Sequence, residues 1–210
     1  MGASAVDICS QGLDLIGVPP ISSFEDNRVA ATCGRLYDTE MNRLLGEYPW
    51  RFASKHADLD LQSTAPAGRY ARQFTIPTDI VQPGVFELYR TSTVGEPTIS
   101  DYTLGLNQNG AQVVLTDELT LFMVYTIRPP ESVWPPHFYK LATLAMAALL
   151  AKPIAEDTDL AGFWEEKAFG VPSDNGQGGY FATAKRIDAQ QAPMQSIQDF
   201  TLIAAHQGGV

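Results

Sequence analysis

The residues that could do chemistry in this chain are few and poorly arranged for it. The three histidines, His56, His137 and His206, lie far apart, and none has a ligand at metal-site spacing. Each is expected to be a satisfied surface or interface side chain. Gly176, Gly178 and Gly179 cluster beside Asp174 and Asn175. A phosphate cradle would need a strand before such a cluster and a Lys after it; both are missing, so a flexible loop is expected. Asp157 and Asp159 lack the downstream Glu that completes a calcium loop. Their expected role is to place negative charge at a helix start, where the helix dipole favours it. Neither GxxxxGK nor GxSxG occurs. No cofactor, metal or catalytic residue is therefore expected. Carboxylates are plentiful, so a hydrolase working with a carboxylate pair stands as the alternative, although sequence cannot set two of them across a cleft.

Trp50 and Trp134 stand where helical patterning gives way to strand patterning and back again. Large aromatics at such seams glue two parts together; stacking on a sugar is the competing reading. Cys9 and Cys33 both fall in helical segments and read as buried free thiols. Two cysteines are too few for a disulfide framework, which fits a reducing compartment.

These residues are positioned by a simple succession of elements. Val6, Cys9, Leu13 and Ile16 form one helical stripe, with Ser4 as N-cap and Gly17, Pro19 and Pro20 as the stop. After the loop ISSFED, Asp26 is placed to cap a second helix over 27–48, which Pro49 ends. From Trp50 to Arg128 the period becomes two. Ala57, Leu59 and Leu61 alternate with polar residues; Tyr70–Ile76, Val85–Tyr89 and Leu119–Ile127 are strand runs. Asn109-Gly110 signals a tight two-residue hairpin turn. Five to seven antiparallel strands are expected.

Helix resumes at Pro135-Pro136, and HFYKLATLAMAALLAKPI is apolar almost all round, so it must be covered on every side. A fourth helix starts near Asp157 with Leu160, Phe163, Trp164 and Ala168 facing inward. GVPSDNGQGG interrupts it, and it resumes over 180–191. The last stretch carries isolated apolar residues and reads as an extended arm. The predicted fold class is α+β: a four-helix bundle (1–49 and 135–191), an inserted antiparallel β domain (50–134; small sheet, sandwich or barrel) and an extended C-terminal arm (192–210).

Of 210 residues, 45% are hydrophobic and 18% charged, which is globular composition. The 24 acidic against 14 basic residues give a net charge of −10. Affinity for phosphates comes from Lys and Arg, so a general nucleic-acid binder is excluded. The N-terminus lacks a signal-peptide pattern, Val6 stands where a myristoylation signal needs Ser or Thr, and the apolar run over 141–151 is short for a bilayer. A soluble intracellular chain with no membrane partner is expected.

Three segments, LDLIGVPPISSFEDNRVAA, the helix ending in EYPWRFA, and PPHFYKLATLAMAALLAKPI, occur in this order. In their joint order and spacing, with a weaker echo in AKRIDAQQ, the chain over about residues 5–191 resembles the tail tubular protein A family. These are head-to-tail adaptors (gatekeeper rings) of tailed bacteriophages and prophages. Gly17, Pro19, Pro20, Phe24, Tyr48, Pro49, Trp50, Phe52, Pro136 and Phe138 carry the match as structural residues.

The resemblance implies a dodecameric ring beneath the portal of a filled capsid. The helical part would meet the portal, and the β part the tail nozzle or next tail ring. Double-stranded DNA would pass through the lumen without specific binding. The implied location is the virion neck, after assembly in the host cytoplasm. Family members continue the last helix smoothly where this chain has GVPSDNGQGG, so a bend or projecting loop is expected there. Met194, Ile197, Phe200, Leu202 and Ile203 would anchor the arm on the portal or an adjacent subunit, ordering on binding. Twelve copies would carry about −120 formal charges, suited to a channel along which DNA slides without sticking. The competing classes are a tail-associated polysaccharide or peptidoglycan hydrolase, and a ligand-binding β module on a helical stalk.

Overall fold

Ser4 begins the first helix as the sequence predicts, and more fully. Its Oγ accepts from the Asp7 N–H at 3.1 Å while the Asp7 carboxylate accepts from the Ser4 N–H at 3.0 Å, a reciprocal capping box. The computed structural model describes residues 4–66, 68–81, 86–93 and 95–191. Among these the protein is mixed α+β, with five helices and two small antiparallel sheets of three strands each. Helices α1 (Ala5–Leu15) and α2 (Arg28–Gly46) come first. Six strands follow: β1 (Ser54–Asp58), β2 (Arg72–Thr75), β3 (Phe86–Tyr89), β4 (Thr103–Leu106), β5 (Gln112–Thr116) and β6 (Phe122–Thr126). Helices α3 (Pro136–Ala155), α4 (Thr158–Phe169) and α5 (Gly179–Gln190) close the described chain. Residues 192–210, the expected arm, and Val85, the expected first residue of a strand, lie outside the described residues.

Helix α2 starts one residue later than expected. Its N-cap is Asn27, whose Oδ1 accepts from the Ala30 N–H at 3.0 Å, rather than Asp26. Asp26 instead accepts from the backbone and hydroxyls of Ser22 and Ser23 and so closes the preceding loop. Those bonds stabilise the charged form and hold its carboxyl well below the usual carboxylate range.

The apolar helix α3 touches each of the other four helices, which accounts for its lack of a polar face. At 20 residues it is longer than the run read from the sequence. It is long and apolar enough to cross a membrane by length and composition, but 56% of its most apolar window is buried inside the protein. Helix α1 crosses it closely at Gly12: a Cβ there would sit 3.2 Å from Met146 Cβ and 3.3 Å from the Ala147 nitrogen. Cys9 and Cys33 are buried free thiols. Its hydrogen bond with Cys33, together with burial, pushes the Cys9 thiol up.

The interrupted fourth helix of the sequence reading is two helices, α4 and α5. The segment between them is not a loose loop. Asp174 Oδ2 accepts from the Val171 N–H at 3.1 Å, and the Gly178 N–H donates to the Phe169 carbonyl at 2.8 Å. Gly170 has φ 87°, and a Cβ on it would lie 2.3 Å from Asp174 Oδ2 and 2.8 Å from Gly178 Cα. Glycine is required there by close packing rather than for flexibility. On α4, Ala168 is buried and Leu160 and Trp164 pack on the core, but Phe163 faces solvent under the Lys167 ammonium, against expectation.

The strands form sheets in the orders β1-β6-β3 and β2-β5-β4. Leu88 lies opposite Met123 in the first, and Phe74 opposite Val114 in the second. Cross-strand partners share a face, so these residues project together and, with Tyr125, fill a core common to both sheets. The chain passes between sheets just after β1: the Leu59 N–H donates to the Leu121 carbonyl, and the Thr75 N–H to that of Asp60. The β4–β5 connection is longer than the expected two-residue turn. Asn107 Oδ1 accepts from the N–H groups of both Asn109 and Ala111, and only Gly110, at φ 77°, takes positive φ.

Candidate functional site

The places where the chain leaves the helices for the strands, and returns, meet in one aromatic joint. Trp50 is fully buried and its Nε1–H donates to the Leu44 carbonyl at 2.8 Å, so its polar edge is satisfied while its faces pack. Its ring meets those of Tyr48 (4.9 Å between centroids), Phe138 (5.0 Å) and Phe181 (5.9 Å) edge to face. Phe138 is the shared partner: Phe52 lies 4.8 Å and Trp134 4.9 Å from it. Trp134 Nε1–H donates to the Pro129 carbonyl at 3.0 Å. Each such pair contributes about 0.5–1.5 kcal/mol beyond area burial. The two tryptophans thus occupy the seam that the sequence suggests for them.

A buried polar contact, not foreseen from the sequence, backs this joint. Asp188 on α5 is fully buried, and both its oxygens accept from the Arg51 N–H, at 3.3 and 3.2 Å. That N–H begins the single turn leading into β1. His137 Nε2, in the first turn of α3, is 3.8 Å from Asp188 Oδ1. His137, expected at a surface or interface, is instead buried, and its Nε2 has no hydrogen-bond partner among the described residues. Burial pushes the Asp188 carboxyl up, against the opposing pull of Arg51 and His137. The sequence spacing of 137 residues between Asp188 and Arg51 explains why no local pattern reveals the pair.

The return path is held by a second, more polar set. Arg128 bonds Asp38 on α2 at 2.9 Å, reaches Glu131 at 3.4 Å and lies over the Tyr37 ring at 5.5 Å. The Tyr37 hydroxyl donates to Glu131 at 3.2 Å, and burial first, then the Glu131 charge, pushes the Tyr37 hydroxyl up. Both connections between the helical and β parts are therefore fixed by side chains as well as by backbone.

The other motif residues are placed as follows. Gly17, at φ 75°, ends α1 and leads into Pro19 and Pro20. Phe24 lies over Gly34, where a Cβ would come within 3.1 Å of its ring, and 6.3 Å from the Tyr37 ring. Pro49 precedes the seam, and Pro136 opens α3. Met194, Ile197, Phe200, Leu202 and Ile203 lie outside the described residues, as does His206. His56 is exposed on β1.

Several cavities open on the described surface. One of about 330 Å³ is lined by Glu40, Arg43, Glu165 and Phe169. Both Glu40 oxygens accept from Arg43, which also pairs with Glu47 and covers the Phe169 ring. A groove of about 450 Å³ between α1 and α3 is mostly apolar, with Leu15, Tyr139 and Leu144 in its wall. A third, of about 250 Å³, lies at the joint among Pro49, Arg51, Phe86 and Tyr125. Among the described residues no group of three His, Cys, Asp or Glu side chains is arranged to hold a metal.

Fold and joint together define the class: a mixed α+β protein whose two connections between helices and strands meet at one aromatic seam. No protein-family model matches the chain. No curated protein matches it.

Proposed function

We propose that the protein is a structural head-to-tail adaptor of a tailed bacteriophage, a ring that joins the portal to the tail nozzle or next tail ring. In this reading the helices form a bundle, the strands a domain inserted in it, and residues 192–210 an arm. The observation that supports it most is where the family-like segments meet. Tyr48–Phe52 and Pro136–Phe138, separated by the whole β part, supply both sides of the aromatic joint. A joint of this kind sets the angle between two binding ends, which is what a connector needs.

The ring closes by head-to-tail contacts between different faces of successive copies. Many weak equivalent contacts with the portal make the attachment strong through avidity. The free protein is largely monomeric and assembles on the portal. Its acidity keeps passing DNA from sticking in the lumen. A hydrolase would need two working carboxylates across a cleft. In the cavity holding Glu40 and Glu165, Glu40 is already engaged by Arg43.

Co-sedimentation with the purified portal protein of the same phage tests the reading. The full chain should pellet with portal rings, and a chain lacking residues 192–210 should do so more weakly. Failure of the full chain to pellet, or sugar release lost on substituting one particular carboxylate, would overturn it.

A further inference from the structure

The four outer edges of the two sheets are not treated alike. An uncovered edge presents unpaired N–H and C=O groups that recruit another strand, and proteins blunt such edges with charge or cover. The outer edge of β2 is covered by residues 60–62: the Thr75 N–H donates to the Asp60 carbonyl at 3.0 Å, and the Gln62 N–H to that of Gln73 at 2.9 Å. The edge of β3 is met by Ile99, whose N–H donates to the Leu88 carbonyl at 2.8 Å. Strand β1 carries Lys55, His56 and Asp58, with Lys55 paired to Asp79. Strand β4 is Thr-Leu-Gly-Leu, with neither charge nor proline.

The ladder places the exposed groups. The Asn107 N–H donates to the Ala111 carbonyl, so in the β4–β5 register Gly105 and Thr103 turn their backbone groups to β5. The alternation of an antiparallel ladder then turns those of Leu104 and Leu106 outward. Among the described residues nothing pairs with them. The Tyr70 hydroxyl approaches β4 but contacts only the Thr103 side chain. The same two leucines are 50% and 68% exposed. They share the face of Val114, so they extend the β core to an open rim.

We propose that this edge receives the C-terminal segment Phe200–Ile203 of this chain as an added strand. The sequence Phe-Thr-Leu-Ile consists of residues suited to strands and matches β4 in length. Phe200 and Leu202 are two apart, so in a strand they share one face and meet the rim of Leu104 and Leu106. Thr201 then falls on the face of Thr103 and Gly105. Helix α5 ends just past Asp188, which holds Arg51 at the root of the β part. From Gln191 to Phe200 an extended chain spans roughly 30 Å. Backbone pairing supplies affinity and the alternate side chains supply specificity.

Amide hydrogen exchange in the full chain tests this. Leu104 and Leu106 amides should exchange at least about tenfold faster in Phe200→Asp/Leu202→Asp than in the unaltered chain, while Gly105, already paired to β5, is unchanged. Equal rates at Leu104 and Leu106 in both proteins overturn the proposal. A photo-crosslinker at position 201 gives a readout independent of that variant. Crosslinks should fall within residues 102–107; crosslinks confined to the helices overturn it. Crosslinked dimers identify a neighbouring copy as donor and internal crosslinks the same copy, and either places the segment on β4. With Phe200–Ile203 on β4, Met194 and Ile197 remain as the arm's portal anchors in the adaptor reading; the pairing and that reading fail separately, because neither readout here involves the portal.

Discussion

The helical and β parts bury their apolar residues in different ways. In the helical part α3 is wrapped by four neighbours, α1 approaches it to glycine distance at Gly12, and the aromatic joint closes the end toward the strands. In the β part the core of Phe74, Leu88, Val114 and Met123 is shared by two short sheets and runs out to exposed leucines on β4. The helices pack around a central member, whereas among the described residues the β part leaves the edge of β4 with neither a pairing strand nor charge. Truncations should therefore cost most stability in the helices and the joint, and least at the edge of β4.

Substitutions should separate the two parts accordingly. The largest effect is expected at the joint: Trp50→Ala should cost about 3–5 kcal/mol in chemical denaturation, since it leaves a large buried cavity and an unpaired Leu44 carbonyl. Gly12→Leu should cost about 1–3 kcal/mol, because Met146 and Ala147 must move away. On the β edge, Leu104→Lys should cost less, about 0.5–1 kcal/mol, because Leu104 is half-exposed at the rim of the core. A loss there as large as that of Trp50→Ala would erase the contrast.

Asp188 adds a pH test of the joint. Its folded carboxyl is raised above the ordinary value, so folding binds a proton more tightly than unfolding does. Its contribution is fully present below the unfolded value of 3.8 and is lost as pH rises through the raised folded value. Asp188→Asn removes this dependence, and groups remote from Asp188 cancel. The variant should therefore gain stability relative to the unaltered chain as pH rises from acid toward neutral in paired denaturation curves. An effect of opposite sign is expected at the end of α3. Glu156 takes φ 54°, so Glu156→Gly should stabilise by about 1 kcal/mol in thermal melts.

Local chemistry in the sequence fixes some of these features and misses others for a physical reason. Ser4, Pro136 and the apolar run after it announce helices because caps and periodicity act within a few residues. Trp50 and Trp134 mark the joint because they sit at changes of period. Asp26 misleads because two neighbouring residues can each cap, and only the Ser22–Ser23 loop decides which does. Asn109-Gly110 misleads because the Asn107 side chain reorganises the turn. Gly170, Gly178 and Gly179 look loose, yet a Cβ on any of them would collide with Asp174 or the backbone. The His137–Asp188–Arg51 contact and the bare edge of β4 depend on which distant segments come together, and no local spacing encodes them.

The measurement that bears most directly on the adaptor reading is electron microscopy of negatively stained protein mixed with its portal. The account predicts rings about the width of a capsid neck seated on portal particles, and largely monomers without portal. Portals left bare, with the protein still monomeric beside them, would contradict it.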